Sequence, residues 1–432
     1  MPSLRHSLAG PIITVFVLAI TALVLVADVV RLGTPFSVLL TVFDTRVLLG
    51  VAVSVFGISL LLYLGGLLRE DPDALVHAGR SVEAVVPVYG EPEVLDRSVT
   101  ALAASTYEDL TVTVVCEPGD RPSLDRAADL AAEYGFVQHI VNDRPGSKAG
   151  ALNDAVERSD AEIIALFDAD QEPHPKLIAH GAAALQDHDI ARIRSLPRPT
   201  GLLESMAYYE YLLLFFLPQK LVRALLGLGI VGTRSVLLER SVFETVGQFD
   251  EESLTEDMDF THRCHQADLS IRELQYYPCF EEPAHTLRDW WGQRVRWMTG
   301  HVSVCHRQVC DRCDPFDADS MSSALTLVGT FVAGIVLATT LPKLFLAAAS
   351  SPGFVAAGLS GIFGIVLTTR AIDNHTAGTD GLDLGWLLVP VALTLFGLVV
   401  VQVVCSYVLG RKQDWYHAEK RAVDRRESSE SA

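Results

Sequence analysis

Long, almost uncharged apolar runs at both ends of the chain limit its architecture more than any other feature. "PIITVFVLAITALVLVADVV" (11–30) and "VLLGVAVSVFGISLLLYLGGLL" (47–68) come first, and "SALTLVGTFVAGIVLATTLP" (323–342), "GFVAAGLSGIFGIVLTT" (353–369) and "LGWLLVPVALTLFGLVVVQVVCSYVLG" (384–410) come last. A helix rises about 1.5 Å per residue, so roughly 20 apolar residues cross about 30 Å of hydrocarbon. The first two runs predict a transmembrane hairpin. A cleaved leader over 11–30 is disfavoured, because no small-residue cleavage site follows and a second spanning segment comes soon after. The 353–369 run is short and Gly-rich, which predicts a short transmembrane or re-entrant helix. Ionisable residues are nearly absent from these segments apart from Asp28 and Lys343 near segment ends, which argues against an ion or solute pathway.

Between residues 80 and 310 charge returns and Pro and Gly punctuate, as in a soluble domain. The 432-residue chain has a formal net charge of −19, and Arg greatly outnumbers Lys. An acidic, Lys-poor surface suits hydration at high salt and argues against a nucleic-acid partner. The polar end 411–432 reads as a tail. Seven Cys without paired spacing give no disulfide framework. Cys305, His306, Cys310 and Cys313 have metal-ligand chemistry, but all come from about two helical turns without a partner loop, so reduced, partly buried thiols are the preferred reading.

Within the soluble part the same plan recurs. A strand ending near Pro87 and Tyr89 passes into a helix near Glu91. A strand at 111–116 is followed by a helix from about 122, and another strand lies at 162–167. Strands alternating with helices at this spacing predict an α/β domain with a parallel-rich sheet covered by helices on both faces. Ligands of such sheets bind beyond the carboxyl ends of the strands. The polar residues there are Tyr89 and Glu91, then Glu117 and Asp120, then Asp168 and Asp170.

In "DAD" (168–170) alternate side chains of an extended segment point the same way, so two carboxylates share one space and call for a cation or a proton between them. "RPGSKAGALNDAV" (144–156) puts a Gly-containing turn and Lys148 at a helix start, an arrangement suited to an anion. Thr255, Glu256 and Asp257 sit where an acidic loop becomes a helix, whose dipole favours ionised carboxylates. Each motif alone is also an ordinary capped helix or solvated loop. "WWGQRVRWMTG" (290–300) gathers Arg and Trp, suited either to a lipid interface or to clamping phosphate and sugar. "GLLESMAYYEYLLLFFLPQKLVRALLGLG" (201–229), whose Tyr and Glu break an apolar run, is a candidate for helices lying on the membrane surface.

In order, these pieces are a strand-end carboxylate, K-A-G-A-L-N, D-A-D, T-E-D and then Gln293, Arg296 and Trp297 in a Q-x-x-R-W pattern. Together they resemble the membrane-integrated glycosyltransferases of family 2, which include cellulose, chitin and hyaluronan synthases. The resemblance covers about residues 80–300. It implies a Rossmann-like, nucleotide-sugar-binding A-type domain inserted between transmembrane helices, facing the cytoplasm of a multi-pass plasma-membrane protein. It implies an inverting enzyme that moves a sugar from a nucleotide-sugar donor to a growing β-linked glycan, with membrane lipids around it and Mg²⁺ or Mn²⁺ as cofactor. Asp170 would hold the metal, with Asp168 beside it and the donor. Lys148 and Arg296 would stabilise the departing diphosphate, Asp257 would be the general base, and Gln293 and Trp297 would meet the acceptor.

Two features depart from the family. An Asp pair usually follows the second strand, and here "VCEPGD" offers Glu117 and Asp120, with uridine as the expected base. Segments after the catalytic domain are also few for a polymer channel. The basic tail "GRKQDWYHAEKRAVDRR" should share the cytoplasmic side with the domain, which favours a 353–369 segment that does not cross fully. A rival of the same fold adds one sugar to a lipid-linked or glycolipid acceptor, and product length separates the two. A transporter with a cytoplasmic insertion, or a sugar-binding regulator, is disfavoured by the joint presence of Asp168, Asp170, Asp257 and Arg296.

Overall fold

The computed structural model describes residues 44–311, 317–378, 383–411 and 416; the 11–30 run, Cys313 and most of the 411–432 tail lie outside them. The chain divides into two compact units, one drawn from 70–198 and 230–285, the other from residues up to 69, 199–229 and 286–417.

The first of these is an α/β unit. Its elements in chain order are β1 (Val82–Val88), α1 (Pro92–Ala103), β2 (Leu110–Cys116), α2 (Arg121–Glu133), β3 (Val137–Val141), α3 (Lys148–Arg158), β4 (Ile163–Leu166), β5 (Glu172–Pro173) and α4 (Leu177–Ala184). They continue with β6 (Ile190–Pro197), β7 (Val236–Glu239), α5 (Arg240–Val246), α6 (Glu256–Gln266) and β8 (Ile271–Glu281). One sheet runs in the order β3-β2-β1-β4-β7-β6-β8-β5. The β1, β2, β3 and β4 pairings are parallel, as is β6 with β8, while β7 is antiparallel to both β4 and β6 and β5 is antiparallel to β8. The sheet is mixed beyond β4, where three strand-and-helix repeats no longer describe it.

The continuous apolar runs of the central strands arise because both faces are covered. Alternate residues divide between two cores: Val82, Ala84, Val86 and Val88 of β1 join one, and Val85 the other. On β4, Ile163 and Ala165 pack with the first and Ile164 and Leu166 with the second. Burial of each such Val, Ile or Leu side chain contributes about 1.5–3 kcal/mol. Glu83, buried in β1, is retained because the Thr113 and Ser159 hydroxyls donate to its carboxylate. Strand order reverses between β1 and β4, and a crevice at such a switch point is the usual ligand site.

In the other unit, among the described residues, four helices are long and apolar enough to cross a membrane: Thr45–Leu67, Ser320–Leu337, Pro352–Ala377 and Gly385–Val408. Exposed Val51, Ile58 and Leu61 on the Thr45–Leu67 helix suit a lipid-facing surface. The helix containing 353–369 runs on through Arg370 and Asp373. Both are buried: Asp373 accepts from the Tyr63 hydroxyl at 3.4 Å and from the Tyr208 hydroxyl, and the Arg370 guanidinium lies 4.8 Å from the Tyr208 ring centre. These two ionisable residues add to those expected from the sequence. In 201–229, Leu202–Tyr211 and Leu217–Leu226 are helices joined by a π-helical turn, Leu212–Phe216. Pro218 follows that turn, and its missing N–H breaks the regular hydrogen-bond ladder.

Candidate active site

The α/β unit presents its candidate residues at the carboxyl ends of β1, β2 and β4. Tyr89 is exposed, and Glu91 precedes α1 without capping it through its side chain. Asp120 is buried: its carboxylate accepts from the Gly90 N–H at 2.5 Å and caps α2 through the Ser123 N–H at 3.3 Å. It ties the loop after β1 to the helix after β2. Glu117 accepts from the Asn142 side chain at 2.6 Å and from the Gly146 N–H at 3.0 Å. It fixes the turn that leads to Lys148.

Ser147 caps α3 by accepting from the Gly150 N–H at 3.0 Å, which places Lys148 in the first turn. The Lys148 ammonium pairs with Asp168 and donates to the Thr233 carbonyl at 3.2 Å. Burial opposes this charge most strongly, but Asp168 and Glu256 outweigh it and hold the lysine above its ordinary value. Asp168 is braced by Gln171, whose side-chain oxygen accepts from the Asp168 N–H at 3.0 Å and whose amide donates to Ser235 at 3.0 Å. Asp170 is buried.

Thr255 is the N-cap of α6, although its side chain makes no capping bond. Glu256 is buried and accepts from the Thr233 hydroxyl at 2.9 Å. Burial and then the neighbouring Asp257 charge raise its carboxyl above the usual range, against the opposing pull of Lys148. Asp257 is partly exposed and accepts from the Met258 N–H at 2.8 Å. Lys148, Asp168 and Glu256 therefore meet around Thr233. Sequence reading missed Thr233 and Gln171, since nothing marks a lone Thr in "VGTRS" or the Gln after "DAD".

Two carboxylates are suitable hard donors for Mg²⁺ or Mn²⁺. Among the described residues no three His, Cys, Asp or Glu side chains come together as a metal cage. The Asp168 carboxylate is paired with Lys148 and Asp170 is buried, so a cation held by these two would take its remaining ligands from substrate phosphate and water. Of the Cys-rich segment, Cys305 is pushed up to about 11 by burial and Cys310 is exposed.

Gln293, Arg296 and Trp297 belong to the apolar unit, on the helix Leu287–His306. Gln293 accepts from Arg294 at 2.6 Å, and the Arg294 guanidinium lies 4.3 Å from the Trp297 ring centre. Arg296 lines a recess with Arg288, Trp291, Gln402 and Tyr416.

The sequence model of the family described as "Glycosyltransferase like family 2" matches residues 79–300. The chain is similar to a probable glycosyltransferase, YdaM, of Bacillus subtilis (strain 168), at 22% identity over 233 residues, 52% of this chain and 56% of that one. It is 29% identical over 181 residues to a beta-monoglucosyldiacylglycerol synthase of Trichormus variabilis, covering 40% of this chain and 38% of the relative. A poly-beta-1,6-N-acetyl-D-glucosamine synthase of Staphylococcus aureus (strain COL) is 22% identical over 247 residues, 56% of this chain and 59% of the relative. The chain thus spans about half the length of the curated relatives it matches. The A-type α/β fold expected from the sequence is the fold of the unit that carries β1 to β8.

Proposed function

Because the chain belongs to glycosyltransferase family 2, we propose that it transfers a sugar, with inversion, from a nucleotide-sugar donor to a growing β-linked glycan at a membrane. The observation that carries this reading is the convergence of Lys148, Asp168 and Glu256 on Thr233 beside the α6 N-terminus that bears Asp257. A buried ammonium held charged by carboxylates is a ready counter-charge for a departing diphosphate.

In this reading the acceptor hydroxyl oxygen bonds to the anomeric carbon from the face opposite the diphosphate. The bond to the diphosphate oxygen breaks, and the hydroxyl proton passes to the Asp257 carboxylate. Glu256 is buried and already accepts from the Thr233 hydroxyl, whereas Asp257 is partly exposed and so the more accessible carboxylate of the pair. Lys148 binds the leaving diphosphate, and the family resemblance gives Gln293 and Trp297 the acceptor sugar. Mg²⁺ or Mn²⁺, when bound by Asp170 with Asp168, supplies further neutralisation of the diphosphate. Glu117 and Asp120 already brace loops, so they contact a uracil base only with the oxygen lone pairs that remain.

The reading includes a multi-pass protein with its catalytic unit on the cytoplasmic side, working at high salt. The length of the helix Pro352–Ala377 removes shortness as a reason for a re-entrant segment there. The second reading, a single transfer to a glycolipid, is favoured by the similarity to the Trichormus synthase.

Nucleotide release by the purified protein in detergent and high salt, with either metal and a panel of UDP- and GDP-sugars, tests the proposal. Release from one donor that falls roughly 10²–10⁴-fold in Asp257→Asn supports it. Release that survives the substitution rejects the base, and absence of release with every donor and acceptor offered to folded protein rejects the activity. Product length then separates a polymer from a single transfer.

A further inference from the structure

Glu210 stands near the end of the helix Leu202–Tyr211 and is 1% exposed. It is followed in the chain by buried Leu212, Leu213 and Phe216, and a buried carboxylate calls for strong partners. It has three. One oxygen accepts from Arg294 Nε at 2.9 Å, and the other from Arg294 Nη2 at 2.8 Å and Trp290 Nε1 at 2.7 Å. The guanidinium is thus gripped along one edge by a two-point fork, which fixes its plane as well as its place.

Its other features face the Q-x-x-R-W residues. Nη1 of Arg294 donates to Gln293 Oε1 at 2.6 Å. Arginine has no acceptor, so this bond fixes the Gln293 amide with its oxygen toward Arg294 and leaves its NH₂ as the group to offer a ligand. The same guanidinium lies 4.3 Å from the Trp297 ring centre, within cation–π range, and 5.6 Å from that of Trp290. One cation therefore orients both residues assigned to the acceptor, and one buried carboxylate orients the cation.

We propose that Glu210 is a positioning residue for sugar transfer, acting through Arg294 to hold Gln293 and Trp297 in their acceptor-binding geometry. This rests on the reading of Gln293 and Trp297 as acceptor-binding. A helix staple alone needs no such arrangement, because apolar side chains of similar volume join buried helices at least as well as an ion pair.

The test uses the full chain in detergent, with the donor found in the release assay and a panel of β-linked gluco- and N-acetylglucosamine oligosaccharides as acceptors. Glu210→Gln, Trp297→Ala and the double variant are compared. Expected for Glu210→Gln is a rise of about tenfold or more in acceptor KM, with donor KM and acceptor-independent nucleotide release within about twofold of the parent. In the Trp297→Ala background the same substitution should add clearly less than it costs in the parent, since only Gln293 is then left for it to position and residues acting through one another are not additive.

Arg294→Lys keeps the charge but loses the fork and the flat stacking surface, and should reproduce the acceptor-specific loss if Glu210→Gln does not fold. Equal loss of donor and acceptor functions, or a full additional loss in the double variant, overturns the proposal and leaves a structural staple. Should Trp297→Ala leave acceptor KM unchanged, the acceptor assignment fails. If it raises acceptor KM while Glu210→Gln and Arg294→Lys do not, that assignment stands and the positioning role fails.

Discussion

Lys148, in the first turn of α3, pairs with Asp168 just beyond β4, and its ammonium also donates to the Thr233 carbonyl at 3.2 Å. The pair places a cation among the carboxylates at the end of the parallel strands. Lys148→Met removes it while keeping a side chain of similar length. Transfer is expected to fall about 10²–10³-fold, the scale of losing one pre-placed electrostatic contact to a developing charge. Steady-state kinetics check this, and a loss below about threefold would remove Lys148 from the leaving-group site.

The turn that presents this lysine depends on Gly150. A Cβ there would stand 2.2 Å from the Arg144 carbonyl oxygen, which is backbone and cannot swing aside. Gly150→Ala must therefore shift the 144–148 turn or the start of α3, at a cost of about 1–3 kcal/mol. Thermal unfolding should show a lower Tm than the parent and transfer should fall with it, whereas Gly135→Ala, at a position with open space around its Cβ, should leave transfer unchanged.

Sequence patterning reached the parallel half of the sheet because that half is local. β2 at Leu110–Cys116 and β4 at Ile163–Leu166 are β-branched or apolar runs bounded by polar loops, close to the strands read at 111–116 and 162–167. The antiparallel half was not legible, since pairings such as Glu172 with Phe280 join residues far apart in the chain. Glu210 registered only as a break in an apolar run, because its partners Trp290 and Arg294 lie on another helix. Asp120 has the composition of a ligand-binding residue, yet its carboxylate serves the Gly90 loop and the α2 cap. Local sequence does not distinguish an acid that caps a helix from one that meets a ligand.

A related effect hid the full length of the helix Pro352–Ala377. Apolarity stops near residue 369, but the helix continues because Asp373 is satisfied by tyrosines within the same unit. The bond from Tyr63 is long, at 3.4 Å, while Tyr208 makes the closer contact and also faces Arg370. Tyr208→Phe should therefore destabilise the protein in detergent more than Tyr63→Phe, by about 1–3 kcal/mol for a buried group left unsatisfied. Paired thermal-unfolding measurements decide it, and equal Tm values for the two variants would refute the ranking.

Glu256 gives a pH-dependent prediction whose sign follows from its environment. Burial and Asp257 raise its carboxyl above the ordinary range, so the folded chain holds this proton more firmly than the unfolded chain does. Folding is then penalised progressively as pH rises from the ordinary carboxyl value through the raised one, and the penalty is complete above it. Glu256→Gln removes the ionisation while its amide oxygen still accepts from Thr233. Parent and variant should unfold alike at acidic pH, with the variant gaining in Tm as pH rises through that interval. Lys148 titrates with the opposite sense: its raised value contributes stability that is lost once alkaline pH passes it, and Glu256 is one of the charges raising it. The alkaline loss should therefore begin at lower pH in Glu256→Gln. Calorimetry of both proteins across pH provides the check, and a Tm difference that stays constant from acid to alkali would show that Glu256 does not change its ionisation on folding.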